Sequence, residues 1–456
     1  MNPKRLLTRS LREHPRGAAL AEIMASALAS VDPAQAVRRY LRREGSAVIV
    51  GARRYELHAD GRVIVVGGGK AGAPMAEAAH AALGDVIAAG LVVVKAGHLG
   101  AAGAQVGPIT LCEAGHPVPD QRGADAAEQM IQLLGDVREH DLVLVLVSGG
   151  ASALMTLPAP GLSLADAQGL TNALLRCGAS IGEINTLRKH CSRISGGQLA
   201  LHAAPAQVAA LIVSDVVGSP LEVIASGPTV PDPTTYAEAW AIIQRYRLAP
   251  EVPPAIVAHL RRGMAGELFE TPKADAPIWQ RVQNQVIASN ATAAEVAVAA
   301  ARQQGFHSLV LTTYLEGEAR EVGKVAAALA REIALHARPL ERPALIVAGG
   351  ETTVTLHGAG LGGRNQELAL GAVSALAGLD NTLVIALATD GGDGPTDAAG
   401  AVVSGETLAR AQALGLDPAI SLQHNDAYHF FAPLDDLLLP GPTLTNVNDL
   451  LLIAAF

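Results

Sequence analysis

Five times along the chain a short apolar, β-branched run stops abruptly in glycine, hydroxyl or carboxylate. The runs are Arg62–Lys70 (RVIVVGGGK), Leu142–Ser152 (LVLVLVSGGAS), Ala210–Ser219 (ALIVSDVVGS), Ala344–Thr353 (ALIVAGGETT) and Thr382–Asp397 (TLVIALATDGGDGPTD). Apolar runs of about five to seven residues bounded by turn residues have the pattern of strands buried in a parallel sheet. Leu91–Lys95, Val286–Ala288 and Ser308–Leu311 read as further strands, and Ala47–Glu56 as a loose β segment. Helical spacing falls between them, over Leu20–Leu28, Ala71–Leu83, Gly123–Leu134 with Asp120 as its cap, Ser163–Leu175, Ile184–Leu201, Thr235–Tyr246, Ala291–Gln303 and Glu318–His336. Strand and helix alternate as βαβ units do. Open α/β sheets bind ligands just past the carboxyl ends of their strands, so the chemistry is expected at those five ends.

Length and composition narrow the picture. At 456 residues the chain exceeds the size of one growing core, so two domains are expected. The proline-rich stretch Ser226–Pro233 and Pro250–Pro254 is the linker candidate, dividing the chain into 1–245 and 246–456. Aromatics are scarce at 3%, and small residues that let helices lie close on a sheet are abundant. A net charge of −9 argues against nucleic acid. No apolar run approaches the ~20 residues of a membrane span. Cys112, Cys177 and Cys191 lack metal or redox spacing, and no secretory h-region follows the basic first residues. A cytoplasmic protein is expected.

The strand ends carry the candidate chemistry. Gly67, Gly68, Gly69 and Lys70 follow a strand and open a helix, which resembles a dinucleotide fingerprint and is not a P-loop. Bare backbone, free N–H groups and one cation suit an anion; a tight turn with a solvated lysine is the plain alternative. Ser148, Gly149, Gly150 and Ser152 form a second such turn, without a cation. A nucleophilic serine here would need a G-x-S-x-G elbow, which this turn lacks. Asn185, Arg188 and Lys189 fall three and four apart, on one helical face that suits a carboxylate or phosphate, or else is simply solvated. Asp215 closes the third run and Glu351 the fourth. A glycine loop, GAGLGGRNQE, delivers Arg364 and Asn365 to a helix start, an arrangement that suits clamping a transferring phosphoryl group. Asp390, Asp393 and Asp397 crowd the fifth end, where they suit Mg²⁺ or a general base, or an Asx-turn loop. The histidines of Gln423–Phe430 have no zinc spacing, and Gly441–Asp449 forms a last polar cluster.

Gly349–Leu370 (GGETTVTLHGAGLGGRNQELAL) and Ala388–Ala401 (ATDGGDGPTDAAGA) resemble the MOFRL domain of class II glycerate kinases. VVGGGKAGAPMAEAA, EAGHPVPD, LVSGGASALM, INTLRKHCSRISGGQLA and SDVVGSPLEVIASGPTVPDP extend the resemblance nearly end to end. It implies an N-terminal Rossmann-like parallel-sheet domain and a C-terminal α/β domain, with the active site in the cleft between them. It also implies transfer of phosphate from ATP, with Mg²⁺, to the 2-hydroxyl of D-glycerate, with active-site roles for Lys70 and Arg364. Asp390 and Asp393 would hold Mg²⁺, or Asp393 would take the hydroxyl proton, while Arg188 would face the substrate carboxylate. Gly68, Gly69, Ser148, Gly149, Gly150, Ser152, Asn185, Lys189, Asp215, Glu351 and Asn365 would line the ligands. A homodimer is compatible with the family. One departure is Ala151, where the family usually has glycine. The competing activity is a nicotinamide-dependent reductase of hydroxypyruvate or tartronate semialdehyde. It would need a nicotinamide site, with a GxGxxG turn and an acidic residue ~20 positions on.

Overall fold

The computed structural model describes residues 1–100 and 103–456. They form two compact units. One, the Lys70 unit, comprises Pro33–Ser214 and Ser219–Ile287; the other, the Arg364 unit, comprises Met1–Asp32, Asp215–Gly218 and Ala288–Phe456.

The Lys70 unit is built on a seven-stranded sheet in the order Val282–Ala288, Gln207–Val213, Leu142–Val147, Val63–Gly68, Ile87–Lys95, Ile109–Ala114 and Gln105–Val106. Gln207–Val213 through Ile109–Ala114 pair in parallel, and the short Gln105–Val106 edge is antiparallel. Val63–Gly68 and Leu142–Val147 are buried at every position, as a sheet covered on both faces requires. Register places Gly68 opposite Val147, so the first two glycine turns begin level with each other. Asp120 caps the helix Gln121–Leu134 by accepting from the Gly123 N–H. Ala47–Glu56 belongs to an antiparallel meander of Leu41–Glu44, Ala47–Val50 and Arg53–Glu56.

Two expectations change here. The helix read over Ile184–Leu201 is two helices, Ile181–His190 and Gln198–His202, because Gly196 and Gly197 between them both take left-handed φ. The proline-rich stretch is no linker. Leu248, Val252, Ile256 and Leu260, beyond the division expected at 245/246, pack in one buried cluster with Tyr236, Ile242 and Ile243 before it. The chain also starts in the other unit, where helix Gly17–Ser30 packs on helix Asn290–Gln303.

The Arg364 unit has a six-stranded sheet in the order His307–Leu315, Ala344–Gly350, Asp449–Ala455, Thr382–Ala388, Gly400–Ser404 and Leu437–Leu438. It is mixed. His307–Leu315 and Ala344–Gly350 run parallel, but Asp449–Ala455 lies antiparallel between Ala344–Gly350 and Thr382–Ala388. This reversal sets Asp449, the first residue of its strand, opposite both Gly350 and Ala388, the last residues of theirs. Among the described residues no helix is long and apolar enough to cross a membrane.

Candidate active site

In the Lys70 unit the two glycine turns interlock. The Ser148 N–H donates to Gly68 O at 3.1 Å and the Lys70 N–H to Gly149 O at 2.9 Å. Ser148 Oγ accepts from the Ala71 N–H at 3.0 Å, which satisfies a donor of the helix Gly72–Leu83. Glycine is required at 69: its φ is +140°, and a Cβ would lie 2.1 Å from Ser148 Oγ. Among the described residues the Lys70 ammonium meets no carboxylate.

A hydroxyl chain runs beside these turns. Ser152 Oγ lies 3.0 Å from Ser226 Oγ, which donates to Asn185 Oδ1 at 3.0 Å. Ala225 and Ser226 both take left-handed φ, a strained pair held by this contact and by backbone bonds from the Ser226 and Gly227 N–H groups. Arg188 lines a small cavity with Ser152, Thr156, Thr171, Ser192 and Ser195. Its guanidinium pairs with no carboxylate among the described residues, and burial pulls its pKa down. A half-buried cation without a partner is costly unless an anion completes it.

Lys189 is not part of this group. It is 3% exposed and its Nζ donates to Asp232 Oδ1 at 3.2 Å. Asp232 also accepts from Thr234 and Thr271, and those bonds together with Lys189 hold its carboxyl low against the opposing effect of burial. The expected shared face of Asn185, Arg188 and Lys189 therefore divides: Asn185 and Lys189 point into the interior and Arg188 alone faces the cavity. Periodicity gives the helical face but not the buried carboxylate that takes up the charge.

In the Arg364 unit the glycine loop is held from the polar segment Gln423–Phe430. Asn425 Oδ1 accepts from the His357 and Gly358 N–H groups at 2.7 and 3.0 Å, and Asp426 Oδ1 from the Leu361 N–H at 2.9 Å. The loop opens into helix Arg364–Leu376. Asp393 caps that helix from a distance, accepting from the Asn365 N–H at 3.1 Å and the Gln366 N–H at 2.8 Å. Gly363 must lack a side chain, because a Cβ would lie 2.3 Å from Asp393 Cγ. Burial pushes the Asp393 pKa up, and the amide donors oppose it.

Arg364 itself is clamped. Its Nε and Nη2 donate to the two oxygens of Asp449 at 2.5 and 3.2 Å, and Nη1 to Glu351 Oε1 at 2.5 Å. Asn448 Nδ2 donates to Glu351 Oε2 and to the backbone carbonyl of Asp215, both at 2.8 Å. Burial pushes the Asp449 carboxyl up to about 6, with Arg364 pulling the other way. Asn448 and Asp449 are the residues missing from the sequence expectation. The polar cluster ending in Asn448–Asp449 was the available signal, but only the antiparallel last strand carries it to the ends of the Glu351 and Thr389 strands.

Asp390 and Asp393 do not make the expected cation cage. Both Asp393 oxygens are committed to amides, and the exposed Asp390 accepts from the Gly392 N–H within its own turn. Among the described residues no three His, Cys, Asp or Glu side chains gather as a metal site.

Comparison with known proteins bears on this geometry. Residues 19–261 match the family described as Domain of unknown function (DUF4147), and 344–449 match the MOFRL family. A glycerate 2-kinase from Pyrococcus horikoshii is 41% identical over 94% of this chain and 95% of its own length. A D-glycerate 2-kinase from Thermotoga maritima is 43% identical over 86% and 90%. A protein from Agrobacterium vitis that carries the name hydroxypyruvate reductase is 44% identical over 86% of both chains. The crystal structure of the Thermotoga maritima glycerate kinase superposes with a TM-score of 0.85 at 39% identity, covering 96% of this chain and 99% of that one.

Proposed function

We infer the reaction from one premise: the chain belongs to the glycerate 2-kinase family, in which a DUF4147 domain precedes a MOFRL domain. It is a phosphotransferase with an alcohol acceptor, and ATP and D-glycerate are its substrates, giving 2-phosphoglycerate and ADP. The name hydroxypyruvate reductase is a weaker label within the same family.

Phosphoryl transfer asks a protein mainly for positioning and neutralisation of charge. The observation that carries the assignment of roles is the pair of cations at the glycine-rich strand ends, Lys70 and Arg364. Among the described residues Lys70 is a point charge with no carboxylate partner, on a glycine turn that opens a helix, a setting that supports contact with the polyphosphate. Arg364 has three of its N–H donors fixed by Asp449 and Glu351, which leaves the rest of the planar fork pre-aimed for the transferring phosphoryl group. Asp449 and Glu351 are therefore positioning residues, and so is Asp393, whose oxygens hold the start of the Arg364 helix. Arg188, with Ser152 in the same cavity, takes the substrate carboxylate. Mg²⁺ belongs with the incoming ATP as part of that substrate, since the Asp390–Asp393 pair supplies no cage for it.

Steady-state kinetics with D-glycerate and ATP test these roles. Arg364→Ala and Lys70→Ala each lower kcat/KM by at least about a hundredfold, the size expected when one preorganised charge contact to the transition state is lost. Wild-type kcat/KM in either variant contradicts the role given to that residue.

A further inference from the structure

The roles above leave the segment EAGHPVPD unused, and its histidine, His116, lies against Gly150 beside Lys70. A Cβ built on Gly150 would lie 2.9 Å from both Cδ2 and Nε2 of His116, and 3.5 Å from Cε of Lys70. The bare α-carbon of Gly150 thus keeps open a space bounded by the imidazole edge on one side and the lysine stem on the other. Gly150 itself has a left-handed φ of +84°, so its shape is fixed by the turn. Among the described residues neither ring nitrogen of His116 has a hydrogen-bond partner, and neither is sealed from solvent. The charged and titratable groups facing the ring are Lys70, Lys95 and His98; Asp120 lies behind the motif, where its carboxylate takes the Gly115 N–H. Burial first, and then those neighbours, push the His116 pKa down to about 4, so the imidazole is neutral at pH 7 with a free lone pair.

Three carboxylates of the other unit's site are already engaged. Asp393 holds helix amides, and Glu351 and Asp449 hold Arg364. We propose that His116 is a further catalytic residue, the general base that takes the proton of the attacking glycerate hydroxyl on Nε2. The inference rests on the kinase reading above. In the step, the hydroxyl O–H bond breaks and its proton passes to Nε2. The freed oxygen pair forms the bond to the γ-phosphorus of ATP, and the bond from that phosphorus to the β,γ-bridging oxygen breaks with its electrons leaving on ADP. The imidazolium then returns the proton to water. The arriving phosphate charge favours the protonated ring, which offsets the effect of Lys70 at the moment the proton moves.

The test compares wild type with His116→Gln and His116→Ala. A base of this kind contributes about 10²–10⁴-fold, so kcat falls at least a hundredfold in both, while KM for ATP stays within threefold. Added imidazole restores part of kcat in His116→Ala and none in His116→Gln, which a merely structural role would not produce. A His116→Gln enzyme with kcat within threefold of wild type overturns the proposal and leaves the kinase reading intact; absence of any phosphoglycerate from the wild type overturns both. Should the variants fail to fold, diethyl pyrocarbonate modification of the wild type with peptide mapping gives the answer. Carbethoxylation of His116 is expected to abolish turnover and to be blocked by a non-hydrolysable ATP analogue with glycerate, whereas a modified, fully active enzyme contradicts the assignment.

Discussion

The Lys70 turn and the Arg364 clamp use opposite devices to present a cation. Among the described residues Lys70 has no carboxylate partner, and its surroundings are bare backbone, hydroxyls and a neutral imidazole. Arg364 is fixed at three of its donors by two carboxylates, one of them buried. The first arrangement leaves a charge free to move onto a ligand; the second has aligned the charge before any ligand arrives. Lysine and arginine suit these tasks for physical reasons, a mobile point charge on one side and a planar fork on the other. The two sites should therefore break in different ways.

The largest effect is expected at the Lys70 turn, where the scaffold is backbone. Gly69→Ala forces a side chain onto Ser148 Oγ at a φ that L residues avoid, and should cost about 3 kcal/mol of stability, read by urea denaturation of the Lys70 unit. An unchanged midpoint would mean that the turn is looser than the geometry implies.

At the Arg364 clamp the scaffold is charge, so the fold survives and the chemistry suffers. Asp449→Asn should lower kcat/KM about thirtyfold, which corresponds to about 2 kcal/mol for charged hydrogen bonds to a retained guanidinium. The same carboxylate predicts a pH effect. With its pKa raised to about 6 in the fold, Asp449 loses its charge as pH falls through 6, so kcat/KM drops on that limb and Asp449→Asn abolishes the limb. Stability has the opposite sign. The folded state holds this proton more tightly than the unfolded chain, whose aspartate titrates near ~3.9. The contribution of Asp449 to stability is therefore full below that value and is lost as pH rises through 6.

Smaller effects separate binding from transfer. Arg188→Ala should raise KM for glycerate about tenfold and leave KM for ATP unchanged, whereas a change in the ATP constant alone would move Arg188 to the nucleotide. Ala151→Gly should cost less than about 1 kcal/mol at the first position of the short helix Ala151–Leu154 and change kcat/KM by less than threefold.

The contrast also explains what could be read without the structure. The Lys70 turn is local: strand, glycines, cation and helix follow one another within Arg62–Leu83, so the sequence pattern displays it nearly whole. The Arg364 clamp is not local. Asp449 lies 85 positions from Arg364 and reaches it only because the last strand inserts antiparallel between two others, a topology that a run of apolar residues cannot announce. Lys189 departs from the helical-face expectation for a related reason. Its helical phase is visible in the sequence, but Asp232, which absorbs its charge, is contributed by the stretch that looked like a linker. The prolines at 231, 233, 250, 253 and 254 break helices without separating domains, because the apolar residues between them join one buried cluster.

The central claim is that these residues serve transfer of phosphate from ATP to the 2-hydroxyl of D-glycerate. Phosphorus and proton NMR of the product formed by the purified wild-type protein from ATP and D-glycerate tests it most directly. The account predicts 2-phosphoglycerate with one ADP per product; 3-phosphoglycerate, or no phosphorylated glycerate at all, would contradict it.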